Sequence, residues 1–369
     1  MINMNGRFKP EKRFLLFLPE YVLGGAETQF RYLIDYAEKN IWKLDVIVGH
    51  RVKKDDEFLQ EAIKHMKSVR FYEFDWRNAD NKKVFLDTAI HILRNFPRVC
   101  YRACLIHYTQ DLILTPMLRL FGIYVIYSER VDAAVISQNS LLRKCLWFCN
   151  SISSNSIYAQ KELGRLTGRK VGLIRNGKPV VDMFSLKEGR RIDRILIPAN
   201  IDPRKNQMLI LRYLKRYPDF QGKLIFAGYP VDKTYWSKLV HYIKIHNLQD
   251  KIEFLGYIED LKEEYRKADL VILPSLAEGT PNVVLEAYAY GRPVIVSDIE
   301  AERDVVRDSC LRFGVNSVTE LDGCIQYVQG LTGEAYRQML RENRQFVLQN
   351  YNIERMAEAF YKELLKGSV

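Results

Sequence analysis

Short apolar runs alternate with amphipathic helical stretches twice along this chain of 369 residues, and that alternation leaves few folds open. In the first half Phe14 to Leu18, Leu44 to Val48, Val69 to Phe74, Val99 to Ile106 and Tyr124 to Tyr127 read as strands, separated by helical patterns such as AETQFRYLIDYAEKN. In the second half Ile192 to Pro198, Lys223 to Ala227, Ile252 to Leu255, Leu270 to Leu273 and Pro293 to Val296 repeat the scheme. The class is therefore α/β, with two doubly wound, Rossmann-like domains built on parallel sheets. Ligands of such sheets bind beyond the carboxyl ends of the strands, so the two domains are expected to face each other across a cleft lined by those loops. GRRIDR at 189–194 reads as a linker, and the domains are set at 1–187 and 188–350, with a closing helical stretch at 351–369.

Composition narrows the classes of function. With 47% hydrophobic and 27% charged residues the chain reads as a soluble globular protein. GRFKPEKRFLLFLPE has basic residues before an apolar run, yet Arg13 to Pro19 is too short for a signal peptide and lacks a small-residue cleavage pattern, so it is taken as the first strand. No segment approaches the roughly 18 apolar residues of a spanning helix, and the expected location is the cytoplasm. Six cysteines suit that compartment as reduced thiols. Cys100 and Cys104, like Cys145 and Cys149, are four apart and would share a helix face, but no histidine or acid completes a zinc set, and no metal is expected.

The net charge of +11 sits almost wholly in the first half, about +10 over residues 1–185 and about +1 over the rest. A basic face attracts nucleic acid, anionic lipid or phosphorylated substrates. No helix-turn-helix, RNA-binding aromatic motif or zinc finger accompanies the charge, so nucleic acid is excluded as a partner. An anionic membrane surface remains open. SLLRKCLWFC at 140–149 mixes Arg143 and Lys144 with Leu141, Leu142, Leu146, Trp147 and Phe148, as an interfacial helix would; the plainer reading is a domain helix packing its apolar stripe.

The stretch from Asp269 to Asp298, DLVILPSLAEGTPNVVLEAYAYGRPVIVSD, carries the strongest chemical signal. Leu270 to Leu273 fit a buried strand ended by Pro274 and Ser275, Thr280 fits an N-cap, Pro281 the first helical position, and Gly291 closes a helix over Val283 to Tyr290. The backbone N–H groups of Gly279, Thr280 and Asn282, at the positive end of that helix, form a place for a nucleotide phosphate, with Pro281 among them. Glu278 and Glu286, eight positions apart, flank the anion site. Carboxylates cannot favour a phosphate, but they suit sugar hydroxyls on either side of it. Spacing alone equally allows a dipole-stabilised Glu278 and a solvated helical Glu286.

The Glu278 to Glu286 pair within EGTPNVVLEAYAYGRPVIVSD resembles the paired-glutamate signature of the retaining family 4 glycosyltransferases, which have the GT-B fold. Agreement extends to KIEFLGYIEDLKEEYRKADLVILPS, PANIDPRKNQ and IRNGKPVVDMF, and more thinly to Gly24 and Gly25, YSERVD at 127–132 and SISSNSIYAQKEL at 151–163. The resemblance implies that Glu286 binds the ribose of a nucleotide-sugar donor, Glu278 the hydroxyls of its sugar, and backbone near Gly256 to Ile258 the base. Lys205 would be the phosphate-binding lysine, with Arg204 beside it. Asn200 stands where many relatives carry an arginine, so either Arg204 turns inward to replace that charge or the site has one cation fewer.

In the first domain Gly24 and Gly25 would allow close backbone approach to the diphosphate or acceptor, unless they only make a tight turn. Glu129 and Arg130 resemble a Ser-Glu-Arg element assigned to acceptor or donor-sugar contact, and His107 an active-site histidine of some relatives. A structural pair and a structural histidine are the alternatives. YNIERMAEAFYKELL resembles the family's closing helix, which crosses back onto the first domain.

The expected activity is retaining transfer of a sugar from a nucleotide-sugar, UDP by family frequency, to a saccharide acceptor carried on a polyprenyl lipid, as in surface polysaccharide assembly. No cofactor or metal is expected, and the enzyme would lie in the cytoplasm or peripherally on the inner face of the cell membrane. The alternatives are a non-catalytic sugar-nucleotide-binding subunit and a GT-B sugar-nucleotide epimerase, the latter lacking a visible acid and base constellation.

Overall fold

The computed structural model describes residues 10–21, 25–51, 57–95, 98–130, 134–179, 181, 191–258 and 260–368. The chain divides into two compact units, Met1–Gly177 with Ile353–Val369, and Lys178–Asn352. The sequence reading put these divisions at 187/188 and 350/351, guided by a linker whose first residues lie outside the described ones.

The first unit holds seven strands, β1 (Glu11–Leu18), β2 (Leu44–Val48), β3 (Val69–Glu73), β4 (Val99–Ile106), β5 (Tyr124–Glu129), β6 (Ser151–Ser154) and β7 (Gly172–Leu173). They lie in the order β3-β2-β1-β4-β5-β6-β7, every pair parallel. Parallel strands covered on both faces read as continuous apolar runs, and Leu15 to Leu18 and Ala103 to Ile106 are buried without a break. The helix Ile353–Leu365 belongs to this unit. Its Met356, Ala357, Phe360 and Leu364 join Phe30 and Ile34 of the helix Gly25–Lys39 in one apolar cluster, and Tyr361 stacks on Trp42 at 4.4 Å.

One buried ion pair interrupts that apolar core. Arg13 Nε donates to Asp45 Oδ1 at 2.5 Å, and its Nη2 donates to the carbonyls of Leu44 and Ser68. Tyr101 donates its hydroxyl to Asp45 Oδ2 at 2.7 Å. The pair therefore joins β1, β2 and β4 and the turn into β3, with its lone pairs and protons used within the protein.

The second unit holds β8 (Arg194–Ile197), β9 (Lys223–Ala227), β10 (Ile252–Gly256), β11 (Leu270–Leu273), β12 (Val294–Ser297) and β13 (Arg312–Phe313). Their order is β10-β9-β8-β11-β12-β13, again parallel throughout. In both sheets the strand order reverses once, between β1 and β4 and between β8 and β11. Those reversals are where adjacent loops leave the sheet in opposite directions and open a crevice for a ligand. At the β8–β9 loops Gly228 permits a close approach that a side chain would block, since a Cβ there would lie 2.2 Å from the Ala199 carbonyl oxygen.

Three short strands, β6, β7 and β13, the last two at sheet edges, escape the sequence reading because they are two to four residues long and SISS holds a single large apolar side chain. The helix after β11 also differs from expectation: it runs Asn282–Ala289, with Pro281 as N-cap and no side-chain cap. Thr280 is not the cap, and Pro281 lies one position outside the helix, where its carbonyl accepts from Val284 at 3.0 Å. Gly291 does close it, with φ of 70°, donating to Tyr288 O while Arg292 donates to Ala287 O. Cys100 and Cys104 lie in a strand rather than on a helix.

Removing one member of a buried ion pair strands the other charge, at about 3–5 kcal/mol. Arg13→Met is expected to lower the stability of the first unit by that order in urea unfolding followed by tryptophan fluorescence. Arg13→Met with Asp45→Asn should recover a large part of it. Equal stability of Arg13→Met and the unaltered protein would show that Asp45 does not need its partner.

Candidate functional site

The loops that leave β8 and β11 carry the chemistry of the second unit. After β8 the chain passes Asn200 and Asp202 into a 3-10 turn, Pro203–Lys205, in which Asp202 accepts from the Arg204 backbone N–H at 2.8 Å. Asn206 then adopts a left-handed conformation, φ 52°, and the helix Gln207–Arg216 begins. After β11 the chain runs through Ser275 to Glu278. The two loops are fastened together by the Leu276 N–H donating to the Arg204 carbonyl at 2.7 Å.

This junction joins Lys205 to Glu278. The Lys205 ammonium donates to Glu278 Oε1, and the Ser275 hydroxyl donates to the same oxygen at 2.6 Å. Ser275 is itself fully buried and fixed through its carbonyl, which accepts from Ser297 Oγ at the end of β12. The sequence reading gave lysine and glutamate separate ligand partners; the structure pairs them with each other. Both side chains remain partly accessible, so each keeps a face toward solvent.

Glu286 has a corresponding pair of donors. Lys178 Nζ donates to Oε1 at 2.6 Å and the Tyr265 hydroxyl to Oε2 at 3.0 Å. Lys178 is buried, whereas Glu286 stays one-third exposed. The Tyr265 phenol is pushed well above its usual pKa by burial and then by Glu286, so it keeps its proton at neutral pH and donates it to the carboxylate. Each acid of the signature thus has its own lysine and its own hydroxyl, which fix the orientation of both carboxylates.

Other residues named from the sequence fall differently. Arg204 does not turn inward. Its guanidinium lies against Asp202, Nε to Oδ1 at 3.1 Å, with its side chain 70% exposed. Asn200 uses Oδ1 to accept from the Tyr229 N–H at 3.0 Å, tying the β8 loop to the β9 loop. Gly279, Thr280 and Asn282 are half-buried and Pro281 is buried, all at the start of the helix that carries Glu286. Ile258 follows β10, at the edge of the sheet, just after Gly256 with φ of 68°.

In the first unit Gly25 opens the helix after β1, and Gly24 lies outside the described residues. His107, at the end of β4, is buried and stacked on Phe30 with ring centroids 4.1 Å apart. Burial, then the Arg130 charge, lowers its pKa to about 3, so the ring is neutral in the physiological range; its Nε2 has no hydrogen-bond partner. Glu129 and Arg130 at the end of β5 are also buried. Glu129 accepts from the Tyr127 hydroxyl at 2.6 Å and from the Arg130 N–H at 2.9 Å. Arg130 donates to Ser128 Oγ, to Ile174 O and to Asn176 Oδ1, and its guanidinium lies over the Phe360 ring. Burial pushes Arg130 down to about 9, which leaves it charged at neutral pH. Arg130 is thus a tie between β5 and the segment 174–176, rather than a side chain offered to solvent.

Lys178, Tyr265, Ser275 and Glu302 were not singled out by sequence reasoning. Lys178 and Tyr265 lie within stretches quoted for the resemblance, but a lone Lys or Tyr far from its partner in the chain gives no pairing signal. Among the described residues no group of three or more His, Cys, Asp or Glu side chains is placed to hold a metal ion.

Comparison with known proteins fits this geometry. The family model described as "Glycosyl transferases group 1" matches residues 183–329. The O-antigen biosynthesis glycosyltransferase WclY of Escherichia coli is 26% identical over 131 residues, 36% of this chain and 36% of that protein. The UDP-Gal:alpha-D-GlcNAc-diphosphoundecaprenol alpha-1,3-galactosyltransferase of E. coli is 29% identical over 108 residues, 29% of this chain and 28% of that protein. The match thus spans about a third of the length of these relatives. Among solved structures, Anabaena Alr3699/HepE in complex with UDP and glucose superposes with a TM-score of 0.78 at 16% identity, covering 95% of this chain and 99% of that one. Residues 183–329 therefore carry the glycosyl transferases group 1 pattern, and the chain has the GT-B fold.

Proposed function

We propose that the chain is a retaining glycosyltransferase of the family 4 kind, a metal-independent hexosyltransferase that moves a sugar from a UDP-sugar to a polyprenyl-linked saccharide in surface polysaccharide assembly. The observation that carries this reading is the joining of Lys205 and Glu278 at the β8/β11 reversal, with Glu286 on the helix that follows. The names of the relatives support the substrate class: one acts on a UDP-sugar and a diphosphoundecaprenol-linked acceptor, another serves O-antigen biosynthesis, and a structural neighbour binds UDP and glucose.

In this reading Lys205 neutralises the departing diphosphate, the task a cation performs where charge develops in the transition state. Glu286, held by Lys178 and Tyr265, binds the ribose hydroxyls, and Glu278 the hydroxyls of the transferred sugar. The bond from C1 of the sugar to the phosphate oxygen breaks with its electron pair leaving on phosphate. The acceptor hydroxyl oxygen bonds to C1 on the same face, and its proton passes to the departing phosphate. No side chain of the protein is required as a nucleophile.

A second reading, a sugar-nucleotide-binding subunit without its own turnover, draws on Asn200 and Arg204. Asn200 supplies no charge, and Arg204 is turned to Asp202, so the β8 loop brings one cation to the junction. A transfer assay with the purified chain, radiolabelled nucleotide-sugars and membrane extract separates the two readings. Saturable nucleotide binding without label transfer would favour the subunit.

The basic first unit also supports peripheral attachment to the cytoplasmic face of a membrane. The helices Thr115–Leu120 and Ser140–Leu146 adjoin, with Thr115 Oγ1 donating to Cys145 O at 2.8 Å. Leu142, Cys145 and Leu146 pack into the core, while Leu120, Leu141, Trp147 and Phe148 are exposed, Trp147 by 70%. Arg119, Arg143 and Lys144 lie among them in sequence, the mixture of apolar and basic groups that an anionic lipid surface attracts. No helix among the described residues is long and apolar enough to cross a membrane.

Two outcomes follow. Lys205→Ala and Glu286→Ala are expected to lower sugar transfer by about 10²-fold or more while the melting temperature stays near that of the parent. Unaltered turnover in both would remove the donor-site assignment. Arg143→Ala with Lys144→Ala is expected to weaken sedimentation with phosphatidylglycerol vesicles by roughly tenfold or more, at about 1 kcal/mol per charge. Trp147→Ser should weaken it further at high salt, and vesicle binding indifferent to all three changes would dismiss this surface.

A further inference from the structure

Glu302 is an acid the proposed chemistry leaves unexplained. It lies in the short helix Glu300–Arg303 that follows β12, and it is completely buried. Neither of its carboxyl oxygens has a hydrogen-bond partner. The charges that act on it are those of Glu278 and Lys205, and it acts in turn on the buried phenol of Tyr288, in the helix that carries Glu286. The local chain explains this proximity. Ser297, at the end of β12, donates to the Ser275 carbonyl, and the Ser275 hydroxyl holds Glu278.

An ionised carboxylate without a donor in a sealed site is strongly disfavoured, so the group neutralises instead. Burial, reinforced by the Glu278 charge and opposed by Lys205, raises Glu302 well above the usual carboxylate range. A neutral carboxyl owns one O–H donor. The charged acceptor in its surroundings is Glu278, whose Oε1 already collects Lys205 and Ser275.

Resting on the donor-site reading above, we propose that Glu302 is a positioning residue for Glu278, its carboxyl O–H holding that carboxylate in place when Lys205 turns toward a bound diphosphate. Without such a donor, a partly buried Glu278 would compete with the diphosphate for the Lys205 ammonium. With it, the lysine is released at little cost, and Glu278 keeps its orientation toward the sugar hydroxyls.

The test is nucleotide binding by isothermal titration calorimetry on the full chain, with UDP, GDP and ADP as probes. For the nucleotide bound most tightly by the parent protein, Glu302→Leu is expected to raise Kd about tenfold. Glu302→Gln, neutral and still a donor, should stay within about twofold. In a Glu278→Gln background, Glu302→Leu should change Kd no further, because the two residues act through one contact. Deleting a buried polar group without a partner should leave the melting temperature at or above that of the parent; Glu302→Met, closer in shape, replaces Glu302→Leu if the latter does not fold.

Parent-like affinity in the folded apolar variant, equal loss in Glu302→Gln, or additive effects with Glu278→Gln would each overturn the proposal. Lys205→Ala losing the nucleotide while Glu302→Leu keeps it would overturn this inference alone. Failure of the parent protein to bind any of the three would overturn the donor-site reading, and this one with it.

Discussion

The reversal of strand order between β8 and β11 is the constraint on which the arrangement of the second unit depends. The strand order runs outward from β8 on one side and from β11 on the other, so the loops after these two strands start side by side at the strand ends, the usual place for a ligand crevice in such sheets. Lys205 and Glu278 are separated by 73 positions in the chain, yet they meet because each sits a few residues beyond one of these strand ends. The short β11, Leu270–Leu273, and the Ser275 hydroxyl beyond it decide how far Glu278 reaches. Gly228 lets the β9 loop close against Ala199 and thereby fixes the path of the β8 loop.

Electrostatics at the junction follow from that placement. Glu278 and Glu286 stand eight positions apart, and the unit gives each acid a lysine from a distant part of the chain. Such pairs contribute little net stability when partly exposed, but they set geometry. The hydroxyls of Ser275 and Tyr265 add direction that an ammonium alone does not have. A third acid, Glu302, lies buried with neither carboxyl oxygen hydrogen-bonded, and burial pushes its pKa well above the usual carboxylate range.

Much of the fold was legible because buried parallel strands leave continuous apolar runs: Leu44–Val48, Val99–Ile106, Lys223–Ala227 and Leu270–Leu273 fall at the bounds read from the sequence. The strands that were missed are short ones, β7 and β13 at sheet edges and β6 next to an edge, where a few residues suffice and no apolar run is needed. Thr280 looked like a cap because its residue type suits one, but the turn after β11 carries the chain one position further before Pro281 takes that place. At the site, the resemblance to a known family pointed to Glu278, Glu286 and Lys205, while the pairing of Lys205 with Glu278 was invisible. Contacts such as Lys178 with Glu286 span 108 positions, and no local pattern encodes them. Arg204 and Arg130 show the same limit in reverse, since a guanidinium that looks available in a motif is turned to Asp202 in one case and sealed among the Ile174 carbonyl and the Ser128 and Asn176 side chains in the other.

Lys178 has one further consequence. It is the first residue of its unit, and its backbone N–H is held by the Tyr351 carbonyl, one residue before that unit's last. The lysine that holds Glu286 is thus anchored where the two termini of the unit meet, while Tyr265 holds the same carboxylate from the interior. A fragment trimmed to the region matched by the family pattern would begin after Lys178 and end before Tyr351, keeping Glu278 and Glu286 while leaving Glu286 to Tyr265 alone. Excision at those bounds would therefore keep both glutamates and discard the counter-charge of one of them.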